Sequence, residues 1–150
     1  MDELSLDIFK LSSMGFCCSQ IMLRLALDME QKENQDLIRS FHGLCRGIGD
    51  AQKTCGVLLG GIGVLGLYAG KGSEREYQRD DFTTMLNEFT EWFELTFEST
   101  ECVDLIGVTS FWDQNHQEYK MKCGQLMTSS FIKLQEILMN HGYDLGERDI

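Results

Sequence analysis

The apolar run from Val57 to Ala69, headed by Cys55, constrains the fold of this chain more than any other segment. It holds no charged residue, so it has to leave water. It falls short of the roughly 20 residues needed to cross a bilayer, which predicts burial in the protein's own core rather than a membrane span. Gly61, Gly63 and Gly66 match the pattern G-x-G-x-x-G. A dinucleotide site would need a strand before those glycines and a helix opening at them. The residues after Gly66, LYAGKGSERE, stop an apolar helix instead, and no βαβ alternation surrounds them. The run therefore reads as a buried helix. Each interior glycine costs about 1 kcal/mol relative to alanine, and six lie between Lys53 and Gly70. They answer a geometric need. Either another backbone packs closely, within the chain or across a homodimer, or a bound group takes the space beside Gly56 and Gly60.

The rest of the chain supplies helices to cover that run. Among its 150 residues there is no proline, which favours long helices joined by glycine turns. Helices are predicted over Glu3–Ser12, from about Cys17 to Glu30, and over Asp36–Phe41. Others are predicted over Glu74–Phe97, Glu101–Ile106 and from about Gln117 to Asn140. The clearest carries Phe82, Met85, Leu86, Phe89, Trp92, Phe93 and Thr96 at i, i+3, i+4, i+7 spacing. No stretch alternates with period two. The expected fold is all-α: one domain, a bundle of five to seven helices without a sheet.

Charge narrows the function. Acidic residues number 24 against 13 basic, a formal net charge of −11. That balance repels nucleic acid and anionic membrane surfaces, so neither is an expected partner. The acidic N-terminus MDELSLDIFK lacks the basic and apolar regions of a signal peptide, and a cytoplasmic location is expected. There the six cysteines would stay reduced unless they are redox-active or bind metal.

Four of the six fall on core-facing stripes. Cys18 leads Ile21, Met22 and Leu25. Cys55 leads Leu58, Leu59 and Ile62, Cys102 leads Leu105 and Ile106, and Cys123 leads Leu126, Met127 and Leu134. Cys17 shares its face with Arg24 and Asp28 and is the outlier. Thr54 as a helix cap would put Cys55 in the first helical position, and Thr100 as a cap would put Cys102 in the first turn of the next short helix. Free N–H groups at such ends favour a thiolate, the reactive and metal-binding form. By that reasoning Cys55 is the best nucleophile, and Cys18 joins it as a candidate catalytic residue. Buried free cysteine is also a common, inert packing residue. No C-x-x-C occurs, so zinc ribbons, thioredoxin-like pairs and covalent haem attachment have no support. His42 and His116 precede Cys45 and Cys123 and can join a metal site only if the fold brings them there.

The order of these segments is distinctive: GFCCSQIML, then FHGLCRGIGDAQKTCGVLLGGIGVLGLYAG, then ECVDLIG, then a last cysteine before an amphipathic helix. It resembles the C_GCAxxG_C_C family, small proteins assigned a redox role and defined by four cysteines and a CGAxxG motif. The resemblance runs from about Met14 to Leu138. It carries over onto Cys18 as the first cysteine, Cys55-Gly56 with Gly60 as the motif, and Cys102 and Cys123 as the third and fourth. Val57 stands where the motif has alanine, Cys17 and Cys45 are additional, and the segment VTSFWDQNHQEYKMK before Cys123 is long for the pattern.

The resemblance implies an all-helical fold and a cysteine-based redox or metal role without a defined reaction. Four thiolates from Cys18, Cys55, Cys102 and Cys123 would suit an iron–sulfur cluster or a tetrahedral zinc. Without metal, a dithiol–disulfide cycle is the alternative, and an unidentified redox partner is expected. The rival from another class is a scaffold protein whose cysteines only pack and whose glycine-rich helix mediates dimerisation.

Overall fold

The computed structural model describes residues 2–49, 53–107 and 116–148, with the backbone alone for 116–119. Its helices are α1 (Glu3–Ser13), α2 (Cys18–Met29), α3 (Gln35–Ser40), α5 (Gly56–Ala69), α6 (Phe82–Phe97), α7 (Cys102–Ile106) and α8 (His116–Asn140). Between α3 and α5 lie a 3-10 turn at His42–Leu44 and the segment α4 (Cys45–Ile48). The latter is no regular helix, because Arg46 and Gly47 sit at φ 58° and 60°. Seven regular helices and no strand among the described residues make the fold all-α, as the patterning predicts. No helix among them is long and apolar enough to cross a membrane.

The apolar run becomes α5, and the other helices are laid around it. α2 packs along one side, with α6 and α8 on the others. The contact with α2 explains the glycine at 60. A Cβ there would stand 2.8 Å from the Ser19 carbonyl oxygen and 2.9 Å from the Ser19 Cα, inside van der Waals contact with backbone that cannot swing aside. On the neighbouring face Gly61 receives the Phe89 ring. The glycines therefore let neighbouring helices of the same chain approach. Gly66 alone among those of α5 has open space beside it. Removing a large apolar side chain from water contributes about 1.5–3 kcal/mol. Met22, Val57, Leu65, Met85, Phe89, Phe93 and Leu134 are all fully buried around α5.

One boundary differs from expectation. The helix predicted from Glu74 begins only at Phe82, with Asp81 as its N-cap residue. Residues 74–81 read EREYQRDD and offer no apolar face, and Tyr77 is exposed. Helical propensity without a face to bury does not hold a helix in water. The segment instead crosses as a loop, pinned where the Arg79 N–H donates to the Ala69 carbonyl at 2.8 Å. From Phe82 onward Met85, Phe89 and Phe93 repeat every fourth residue and are buried. Phe93 and Phe97 meet edge to face at 4.8 Å.

The two ends of α5 are finished differently. At its C-terminal end residues 146–148 return. The Gly146 N–H donates to the Tyr68 hydroxyl at 3.0 Å, and Arg148 Nε donates to both Glu30 oxygens at 2.7 and 2.8 Å. The N-terminal end is where the cysteines gather.

Candidate functional site

Two backbone hydrogen bonds set Cys55 beside Cys102. The Cys55 N–H donates to the Thr100 carbonyl at 2.8 Å, and the Cys102 N–H donates to the Lys53 carbonyl at 2.9 Å. Thr54 and Glu101 form the isolated antiparallel bridge between them. This alters both expected caps. Thr54 is taken up in the bridge, so Cys55 itself is the N-cap residue of α5 and the helix begins at Gly56. Glu101, not Thr100, is the N-cap residue of α7, which places Cys102 in the first helical position.

Cys18 opens α2 opposite Cys55. Gly56 is the space between them, since a Cβ at Gly56 would lie 2.5 Å from Cys18 Sγ and 2.8 Å from the Leu44 carbonyl. Gly56 therefore admits the sulfur. Cys123 approaches from α8, one turn before the buried Leu126 and Met127. The four free thiols, Cys18, Cys55, Cys102 and Cys123, line one cavity of about 180 Å³. Gly56, Val57, Ile106 and Met127 contribute apolar walls, and Arg46 and Lys120 bring two cations. Cys55 and Cys102 are buried, while Cys18 and Cys123 are partly exposed.

Burial decides the protonation of these thiols. It pushes Cys55 and Cys102 up to about 12 and raises Cys18 and Cys123 as well. Each ionised neighbour then raises the others, with Cys123 feeling Cys18, Cys55 and Cys102. Helix-end N–H groups do act in the expected direction: those of Leu58 and Val57 favour the Cys55 thiolate, and that of Ser19 favours the Cys18 thiolate, which the Arg46 N–H of the adjoining turn favours more strongly. They lose on magnitude. A helix terminus contributes about 0.3–1 kcal/mol, less than the 1.36 kcal/mol of one pKa unit, whereas burial shifts a group by up to about 3–5 units. The expected lowering of the thiol pKa values is thus reversed, and with it the reason for ranking Cys55 first as a nucleophile.

The remaining two cysteines form a disulfide, Cys17–Cys45, where a cytoplasmic location predicts reduced thiols unless they are redox-active or bind metal. Cys17 points off the core stripe of α2 because its partner lies outside that helix. Cys45 is buried and begins a left-handed stretch in which Arg46, Gly47, Ile48 and Gly49 have φ of 58°, 60°, 59° and 110°. Glycine adopts such angles freely, but Arg46 and Ile48 do so at a cost of about 1–2 kcal/mol each. The turn is what carries the Arg46 N–H to Cys18. Two glycines spaced around Ile48 mark a turn in the sequence, yet nothing local identifies its hand or the pairing of Cys45 with Cys17.

Of the other expected site residues, Gly60 packs on the Ser19 backbone, and His42 borders a separate surface pocket with Gln20 and Arg39. The side chain of His116 and residues 108–115 of the long segment before Cys123 lie outside the described residues. Sulfur donors suit a soft metal, but no three His, Cys, Asp or Glu side chains among the described residues stand close enough together to hold one ion. The thiols surround a space, not a point.

No curated protein and no solved structure matches this chain. Residues 16–137 do match the model of the family described as "Putative redox-active protein (C_GCAxxG_C_C)". With that match covering most of the sequence, and its segments forming the walls of the thiol cavity, the chain belongs to the C_GCAxxG_C_C family.

Proposed function

We propose that this is a redox protein whose working site is the cavity enclosed by Cys18, Cys55, Cys102 and Cys123, and that these thiols hold an iron–sulfur cluster. The observation that carries the reading is the convergence of four free cysteines, from four separate segments of the chain, on one cavity. A space between the sulfurs accommodates a multi-atom group better than a single zinc ion, which needs its four ligands around one point at about 2.3 Å. Four neighbouring thiols that resist ionising together also call for a cationic group, which takes them as thiolates and releases their protons. Bound there, a cluster would supply one-electron transfer. The chain's own contribution is a largely apolar wall and the Arg46 N–H at Cys18. Electron exchange requires a partner redox protein or small carrier.

The test is iron and sulfide analysis with a visible absorption spectrum, on protein purified without oxygen. The expected result is stoichiometric iron and sulfide with broad visible absorption, lost in Cys55→Ala and Cys102→Ala. Metal-free protein in which both substitutions change only stability would overturn it and favour packing cysteines in a scaffold.

A further inference from the structure

The Cys17–Cys45 disulfide lies outside the four-cysteine pattern, and its two sulfurs differ in surroundings. Cys17 is partly exposed and lines the thiol cavity. Cys45 is 3 % exposed and is not part of that lining. Behind Cys45 stands Ser19, fully buried, with its Oγ 3.0 Å from Cys45 Sγ. That hydroxyl donates to the Phe41 carbonyl at 2.6 Å. A disulfide sulfur carries no proton and Ser19 has only one, so in the oxidised protein no hydrogen bond joins Ser19 to Cys45. The contact becomes useful only when Cys45 holds charge. The hydroxyl can then turn from Phe41 to the sulfur, and the Phe41 carbonyl keeps the Leu44 N–H at 3.1 Å.

The geometry points to Cys17–Cys45 as a thiol-exchange site, in which a small external thiol attacks Cys17 from the cavity and Cys45 leaves toward the Ser19 hydroxyl. The attacking thiolate forms a bond to Cys17 Sγ as the Cys17–Cys45 bond breaks, and the electron pair departs on Cys45. A second thiolate attacks the external sulfur of the mixed disulfide and releases Cys17 as thiolate. Two external thiols are oxidised to one disulfide, the protein disulfide gains two electrons, and the two protons finish on Cys17 and Cys45. Arg46 and Lys120 at the cavity favour an anionic thiol such as a glutathione-type peptide. This site uses none of the four cavity thiols as reactants, so it stands or falls separately from the cluster.

The experiment exposes the folded protein to reduced glutathione, quenches by alkylation and maps adducts by mass spectrometry. Expected are a mixed disulfide on Cys17 and a free Cys45, with Ser19→Ala slowing the reaction about ten- to a hundredfold, the scale of one hydrogen bond to a charged group. An adduct on Cys45, or reduction only after unfolding, would overturn the assignment. Two further variants keep the test open should Ser19→Ala fold poorly. Cys45→Ser should leave Cys17 open to rapid alkylation in the folded state, and Cys17→Ser should leave Cys45 protected until denaturant is added. Equal reactivity of the two would sink the proposal.

Discussion

The two ends of α5 are built on opposite principles. At the aromatic end, Gly61 receives Phe89, and Phe82 and Met85, earlier on α6, lie toward Ala69, whose carbonyl accepts from the Arg79 N–H. These groups cannot ionise, and burial simply stabilises them. At the cysteine end the buried groups are thiols, the neighbouring turn is left-handed at two non-glycine residues, and a disulfide ties that turn to α2. There burial opposes ionisation, and backbone strain is held in place by covalent and hydrogen-bonded contacts. The aromatic end makes the fold stable, and the cysteine end uses that stability to keep reactive groups in a costly arrangement.

Separating the ends by mutation is the direct challenge to this division. Phe89→Ala empties a fully buried site and should lower unfolding stability by about 3–5 kcal/mol, measured by denaturant titration. Glutathione reactivity at Cys17, read under conditions where the variant stays folded, should not change. A matching change in both would mean that the two ends are one cooperative unit. At the other end, Cys55 and Cys102 sit at about 12 against an ordinary 9. Metal-free protein at pH 8 should therefore alkylate at these positions on the order of a thousandfold more slowly than an exposed cysteine. Rapid labelling of either in the folded state would remove the electrostatic contrast.

A smaller effect tests the tail that closes the aromatic end. Arg148 pairs with Glu30, whose side chain is 1 % exposed, and also donates to the Leu67 carbonyl at 3.1 Å. Arg148→Ala would leave Glu30 its weaker pairing with Lys32 at 3.5 Å. The loss should be about 1–3 kcal/mol, the range for a hydrogen bond to a buried charge. Arg148→Lys should recover part of it, since the ammonium keeps the charge without the two-pronged geometry. No loss on Arg148→Ala would show that the tail rests on the helices without holding them.

How far the sequence revealed this contrast follows from range. The aromatic end was legible because its signal is local: Phe82, Met85, Phe89 and Phe93 repeat along one helix and all turn inward or pack at its edge. Core-facing stripes likewise placed Cys18, Cys55, Cys102 and Cys123 toward the interior. Their common cavity depends on a bridge between Thr54 and Glu101, residues far apart in the chain with no strand pattern around them. Helix ends, which can be read from sequence, point to acidic thiols, while the desolvation that reverses this needs the packed structure. The Cys17–Cys45 pair and the Ser19 hydroxyl behind it depend on the left-handed turn, whose hand no residue pattern encodes.

The smallest expected effect is a pH dependence confined to the aromatic end. His141 follows α8, with Nε2 2.9 Å from Glu88 and Nδ1 3.3 Å from Asp81. The Glu88 hydrogen bond raises its pKa, and the charges of Glu88 and Asp81 add to the rise. A folded pKa above the unfolded value of about 6.5 means that the folded protein binds this proton more tightly. The resulting stabilisation is fully present below pH 6.5 and disappears as pH rises through the folded pKa. Exposed pairs of this kind contribute at most about 1 kcal/mol, so the measurement is a difference. Unfolding stability of the parent and of His141→Ala would be compared from pH 5.5 to 8.5, in low and high salt. The gap between them should narrow with rising pH and with salt, while glutathione reactivity at Cys17, measured at one fixed pH, stays equal in the two. A gap that widens toward high pH would reverse the sign of the His141 interaction, and a change at Cys17 would show that this charge network reaches the cysteine end.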